Sequence, residues 1–188
     1  MKLNVIVLSL LVASIYSVQD PAFIDLPFPR DLVRFLLDFE GKYVTLSSDI
    51  GNLASRCNNC GPGAYPDSLG VHVTQSPAPA YAKFLVSHYG QGVTLQADTG
   101  KFVSRCNNCW SGGAYPDAAF IHVTTPAGNP WAVWSPVQVN GKWTFRADSG
   151  KFLARCRNCV PGGAYPDFAF VHEPNNGNPW AQWTVTAA

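Results

Sequence analysis

Apolar and polar positions alternate in the same order at three places along the chain. Val44, Leu46 and Ser48, then Val93, Leu95 and Ala97, then Trp143, Phe145 and Ala147 set small or apolar side chains on one side of an extended segment, with Thr45, Thr94 and Thr144 on the other. A period of two predicts a half-buried strand. Each is followed by a turn, Asp49-Ile50-Gly51, Asp98-Thr99-Gly100 or Asp148-Ser149-Gly150, where Asp can bond its own backbone and Gly tolerates positive φ. Second strands then run from Leu53 to Cys57, Phe102 to Cys106 and Phe152 to Cys156, making three hairpins. Third strands are predicted at 71–73, 120–123 and 168–172. Fourth strands carry Phe84, Trp134 and Trp183, preceded by Tyr81, Trp131 and Trp180.

The alternation belongs to a longer repeat. Arg56-Cys57-Asn58-Asn59-Cys60 returns as Arg105-Cys106-Asn107-Asn108-Cys109 after 49 residues and as Arg155-Cys156-Arg157-Asn158-Cys159 after another 50. A Gly-rich loop follows each string and ends in Tyr-Pro-Asp at Asp67, Asp117 and Asp167, with His72, His122 and His172 beyond. Repetition of this length fixes the architecture before any single motif does. Three four-stranded units of about 50 residues are too few to close a propeller, and an open solenoid would leave apolar ends uncapped. A closed three-fold barrel with a hairpin cap fits both count and size.

At this point the chain resembles the β-trefoil superfamily, and within it the fascin-like branch. The resemblance rests on Thr94-Leu95-Gln96-Ala97-Asp98-Thr99-Gly100-Lys101-Phe102-Val103 and Thr144-Phe145-Arg146-Ala147-Asp148-Ser149-Gly150-Lys151-Phe152-Leu153. It implies an all-β fold, a β-trefoil over residues 41–188 with repeats at about 41–90, 91–140 and 141–188. The Cys-x-x-Cys and Tyr-Pro-Asp loops lie outside the fascin pattern.

Ahead of the repeats, residues 18–40 are expected to form a short arm packed on the barrel. Leu32, Phe35, Leu36 and Phe39 have helix-like spacing, although Phe35-Leu36-Leu37-Asp38-Phe39 also reads as a strand. Residues 1–17 have the layout of a secretory signal peptide: Lys2, an apolar run from Val5 to Ala13, then Ser14 and Ser17. The apolar run is shorter than the ~20 residues a membrane span needs. The expected product is soluble and extracellular, with no membrane insertion.

Compartment and symmetry together point to three local disulfides, Cys57 with Cys60, Cys106 with Cys109 and Cys156 with Cys159. Each short bridge is worth roughly 2 kcal/mol. A redox role for Cys-x-x-Cys would need a helix N-terminus to stabilise a thiolate, and the pattern supplies none there. A zinc site of two thiolates, an imidazole and a carboxylate lacks the usual second His or Cys pair. No metal and no cofactor are expected.

With 13 basic against 12 acidic residues and no basic block, nucleic acid is a poor partner. The hydrophobic share of 47% against 13% charged argues for a folded chain. There is no Gly-x-Ser-x-Gly elbow, His-Glu-x-x-His helix or phosphate-cradling Gly loop, and the chain reads as a non-enzyme.

The repeated loops are the candidate binding sites. Trefoils that recognise carbohydrate commonly use Asp and Asn on vicinal hydroxyls and an aromatic face on the sugar ring. On that resemblance the site residues are Asn59, Tyr65 and Asp67 in the first unit, Asn108, Trp110, Tyr115 and Asp117 in the second, and Asn158, Tyr165 and Asp167 in the third. Three weak equivalent sites suit a clustered glycan on a cell surface, wall or matrix. The same residues have a structural alternative, in which the three Asp pair with Arg56, Arg105 and Arg155 to hold the loops. A protein-binding trefoil, such as a hydrolase inhibitor or effector, and a structural matrix or coat component remain as other functional readings.

Overall fold

The computed structural model describes residues 28–188. The expected signal peptide and the arm up to residue 27 lie outside the described residues. Within them the chain runs α1 (Arg30–Phe39), β1 (Tyr43–Ser47), β2 (Leu53–Asn58), β3 (Asp67–Val73), β4 (Phe84–Tyr89), β5 (Gly92–Gln96), β6 (Phe102–Asn107), β7 (Asp117–Val123), β8 (Ser135–Val139), β9 (Lys142–Arg146), β10 (Phe152–Arg157), β11 (Asp167–Glu173) and β12 (Thr184–Ala187). One 3₁₀ turn precedes the last strand of each unit, at Ala80–Ala82, Pro130–Ala132 and Pro179–Ala181.

Six strands close a barrel. β12 pairs β1, β1 pairs β4, β4 pairs β5 and β8 pairs β9, all antiparallel. The two remaining seams are reciprocal backbone bridges, Val93 with Trp134 and Trp143 with Trp183. The hairpins β2/β3, β6/β7 and β10/β11 form a triangular cap in which β3, β7 and β11 meet one another. Alternation along each strand sends Val44, Leu46, Leu95, Phe145, Trp134 and Trp183 into one core. Trp134 and Trp183 are fully buried, and their Nε1–H groups donate to the carbonyls of Val103 and Leu153, both at 3.0 Å. Buried indoles with satisfied donors tie each barrel strand to its cap hairpin.

Two local expectations change. Thr94 and Thr144 are buried rather than on an open face, because their hydroxyls donate to Ser87 and Val137 carbonyls across the strand pair. The helical spacing wins over the strand-like string in the arm. In α1, Leu32, Phe35, Leu36 and Phe39 are buried on one face, and the Phe35 ring lies 4.9 Å from that of Trp143 and 5.6 Å from that of Phe145. Asp31 in the first turn accepts the Gln138 amide and pins the helix to β8. No described helix is long and apolar enough to cross a membrane.

Candidate functional site

The three Arg of the repeat are the first groups to be placed. Arg56 donates through Nε and Nη2 to both oxygens of Asp98 at 2.7 and 2.9 Å, and through Nη1 to Asp67 at 3.2 Å. Arg105 does the same to Asp148, at 2.7 Å twice, and to Asp117 at 2.9 Å. Arg155 joins Asp49 at 2.7 Å twice and Asp167 at 2.7 Å. Each guanidinium therefore binds the Tyr-Pro-Asp carboxylate of its own unit and the turn Asp of the next, and the third returns to the first. The bidentate fork that carboxylates prefer closes the ring of repeats. These Arg bonds hold the carboxyls of Asp49, Asp98 and Asp148 below their ordinary range.

The loops follow the same rotation. Ala64, Ala114 and Ala164 donate their amides to the carbonyls of Cys109, Cys159 and Cys60, so every loop rests on the neighbouring unit. Tyr65 stacks on His122, Tyr115 on His172 and Tyr165 on His72, with ring centroids 4.3, 4.2 and 3.7 Å apart. The residues expected together in one loop thus part company. Asp67 stays beneath its own unit while Tyr65 crosses to the next.

Asp67, Asp117 and Asp167 are buried against Arg, as in the structural alternative, and Asp67 and Asp117 also accept from Asn58 and Asn107. Asn59, Asn108 and Asn158 are exposed and take left-handed φ of 54°, 56° and 57°, the conformation Asn tolerates best after Gly. Their backbone N–H groups donate to Pro66, Pro116 and Pro166 carbonyls and close the loop bases, while the Asn59 and Asn108 side chains donate to Asn58 and Asn107. The three Cys pairs are bridged locally, with Cα atoms 5.6 to 5.8 Å apart. Trp110 is the clearest correction to the expected surface. It is buried in the cap against Phe120 and Phe168, so its ring offers no face to a ligand.

The crossing makes three junctions of units, in each of which a Tyr of one unit stacks on the His of the next, and a cleft opens at one of them. This third cleft, in the third unit, is a cavity of about 390 Å³ lined by Ile50, Tyr115, Arg155, Arg157, Asp167, His172, Glu173 and Trp180. Tyr115 and Trp180 are 41% exposed there, and two aromatic rings across one opening are the feature that marks it. Glu173 anchors Trp180, accepting its Nε1–H at 2.6 Å and the Asn175 amide at 3.2 Å. Burial opposes ionisation of Glu173, but these hydrogen bonds outweigh it and hold its carboxyl below the ordinary value. By repeat position, Tyr165 and Tyr81 correspond to this aromatic pair in the first unit, and Tyr65 and Trp131 in the second. Ile50, Arg157, Glu173 and Trp180 were not among the expected site residues, and for Ile50, Arg157 and Glu173 the available signal was departure from the other two units.

Comparison with solved structures follows from this architecture. The lectin of Polyporus squamosus, in complex with the epitope Neu5Acα2-6Galβ1-4GlcNAc, superposes with a TM-score of 0.59 at 15% identity over 80% of this chain and 50% of the lectin. The designed three-fold symmetric protein ThreeFoil gives 0.54 at 18% identity over 78% of this chain and 99% of its own. The fold is a β-trefoil. A GlcNAcα1-4Gal-releasing endo-β-galactosidase from Clostridium perfringens also matches, with a TM-score of 0.56 at 13% identity over 78% of this chain. The trefoil chain spans half of the lectin and about a third of the galactosidase. No family model and no curated sequence matches. Identities this low establish the fold, and the chemistry of the cleft must be argued from its own residues.

Two sets of groups at the trefoil's junctions lead us to expect loss of stability in acid in two stages. Partial burial between β-strand and Tyr ring lowers the pKa of His72, His122 and His172, the attraction of Glu173 notwithstanding at His172. A folded pKa below the unfolded value of about 6.5 means that stability is complete above that pH and falls as pH drops towards the folded value. The turn Asp add a second loss below about pH 4, where their Arg-bonded carboxylates finally protonate. Thermal midpoints measured by calorimetry from about pH 8 to 3 should stay level above the His range, decline through it and fall steeply below pH 4. A level profile between pH 7 and 5 would contradict the His assignment.

Proposed function

We propose that the chain is a secreted, lectin-like carbohydrate-binding protein whose sites are the junctions between repeats. The observation that carries this reading is the third cleft, where the exposed rings of Tyr115 and Trp180 line one opening above polar groups. Aromatic walls with a few convergent polar atoms suit the apolar face and hydroxyl rim of a pyranose. Among the expected site residues, Tyr65, Tyr115 and Tyr165 keep a place in this reading as the aromatic rings of the junctions. Asp67, Asp117 and Asp167 contribute by fixing the Arg beneath, and Asn59, Asn108 and Asn158 stand at the loop rims.

Binding rather than hydrolysis is supported by the state of the acids. The carboxylates of Asp49, Asp67, Asp98, Asp117, Asp148 and Asp167 are engaged with Arg, and Glu173 with Trp180. A glycosidase needs two carboxyl groups free to face each other across the scissile bond. Local disulfides and the signal-like first 17 residues support an extracellular setting. Repetition of the Tyr–His junction in all three units favours clustered glycans, since weak sites gain through effective concentration.

A glycan array with the purified protein tests the reading. Tyr115→Ala and Trp180→Ala should each weaken binding at the third cleft by about tenfold, the scale of one lost aromatic contact. Wild-type protein that retains no glycan, or that binds equally after both changes, would overturn it.

A further inference from the structure

The third junction departs from the other two at positions that line its cleft. Arg157 replaces Asn58 and Asn107, Glu173 replaces Val73 and Val123, and Ile50 stands where the other turns have Thr99 and Ser149. The consequences differ in kind. In the first two units the Asn side chain is tied down, donating from Nδ2 to Asp67 at 2.8 Å and to Asp117 at 2.9 Å. In the third, the Arg157 side chain is exposed and makes no hydrogen bond or ion pair with any described residue. The other charges of the cleft are already engaged: Arg155 with Asp49 and Asp167, and Glu173 with Trp180 and the Asn175 amide. Among the charged residues that line the cleft, the uncommitted one is the Arg157 guanidinium, beside an aromatic wall held in place by a buried carboxylate.

We infer that the third cleft selects an acidic saccharide, a uronate or a sulfate ester, whose charged group meets Arg157 while its ring lies against Trp180 and Tyr115. The inference rests on the carbohydrate reading given above and narrows it to one cleft and one ligand class. A guanidinium presents a planar fork that fits carboxylate and sulfate oxygens in pairs, which an Asn amide cannot do. Glu173 serves the same site indirectly: by binding Nε1 it sets the Trp180 plane and leaves the ring face open. Ile50 adds apolar surface opposite, where Thr or Ser would compete for water. The first two units have Asn58 and Asn107 in place of this guanidinium, each tied to an Asp.

Titration calorimetry with matched probes decides the matter. A galacturonate trimer is compared with its fully methyl-esterified form, and a galactose-6-sulfate disaccharide with its unsulfated twin. The acidic member of at least one pair should bind wild-type protein about tenfold or more tightly than its neutral twin, with a gap that narrows as salt is raised. The carboxylate and sulfate arms identify which group is preferred. Arg157→Asn, which rebuilds the arrangement of the first two units, should abolish the gap by bringing the acidic member down to the affinity of its neutral twin, with the thermal midpoint unchanged. Trp180→Ala should weaken both members. Equal affinity for both members of both pairs, or a gap that survives Arg157→Asn, would overturn the inference and leave the carbohydrate reading intact. Failure of every saccharide to bind would remove both.

Discussion

Arg155→Ala is expected to lower the midpoint of thermal unfolding by about 6–12 °C, the equivalent of roughly 3 kcal/mol for a domain of this size. The substitution deletes three hydrogen bonds of 2.7 Å and leaves Asp49 and Asp167 facing each other without a cation. Asp167 is only 6% exposed, so its charge cannot be rehydrated without opening the cap. Removing one partner of a buried pair costs more than the pair itself contributes, because the desolvated charge remains. The effect should be larger than at Arg56, whose bond to Asp67 is longer and whose side chain is more exposed, 20% against 12%. Arg155 also joins residues 106 apart in sequence, the turn of the first repeat and the hairpin of the last. It therefore fastens the seam at which the ring of repeats closes. Arg155→Lys should recover only part of the loss, since an ammonium cannot bridge both Asp49 oxygens and Asp167 at once. Calorimetry on Arg56→Ala, Arg105→Ala and Arg155→Ala checks the order, and midpoints within 2 °C of wild type in all three would refute it.

The contrast between Arg155 and Tyr115 shows what could be read from the sequence. Strand alternation, the Asp-x-Gly turns and the local Cys pairs are properties of neighbouring residues, and threefold repetition made them unambiguous. The amphipathic spacing of Leu32, Phe35, Leu36 and Phe39 was visible as well, yet a strand-like string overlapped it, and only burial against Trp143 and Phe145 separates the two. The link from Arg155 to Asp167 lies within one unit and was foreseeable from charge. Its stronger link to Asp49 was not. Spacing within a repeat says nothing about which side chain crosses to the next copy, and a cyclic fold allows every contact to be made either way. For that reason Tyr115 was grouped with Asp117, whereas the cleft it lines contains Asp167. Symmetry accounts for the shared Arg, Asp and Cys as scaffold and leaves Arg157 and Glu173 of the third cleft unexplained, so departures from the repeat carry information that the repeat does not.

The same departures predict a large and reciprocal effect inside the cap. The residue after the second Cys is Gly61, Trp110 or Val160, and all three converge: a Cβ built on Gly61 would lie 2.8 Å from the Trp110 ring and 3.3 Å from the Val160 side chain. One indole occupies space that three equal side chains would otherwise share, which is possible only because the first unit has no side chain there. Trp110→Ala should cost about 3–5 kcal/mol through the cavity left against Phe120 and Phe168. Trp110→Phe should cost much less, because the buried Nε1–H has no hydrogen-bond partner among the described residues, unlike those of Trp134 and Trp183, and its removal ends an unsatisfied burial. Gly61→Val alone should destabilise by about 1–3 kcal/mol through overpacking, since both neighbours are held by the core. Combined with Trp110→Val, it rebuilds a symmetric trio with Val160 and should be more stable than the sum of the single changes, by about 2 kcal/mol. Denaturant unfolding of the four proteins of this cycle gives the coupling directly. Additive costs would mean that Gly61 and Trp110 do not share the same space, and that the cap tolerates its asymmetry for another reason.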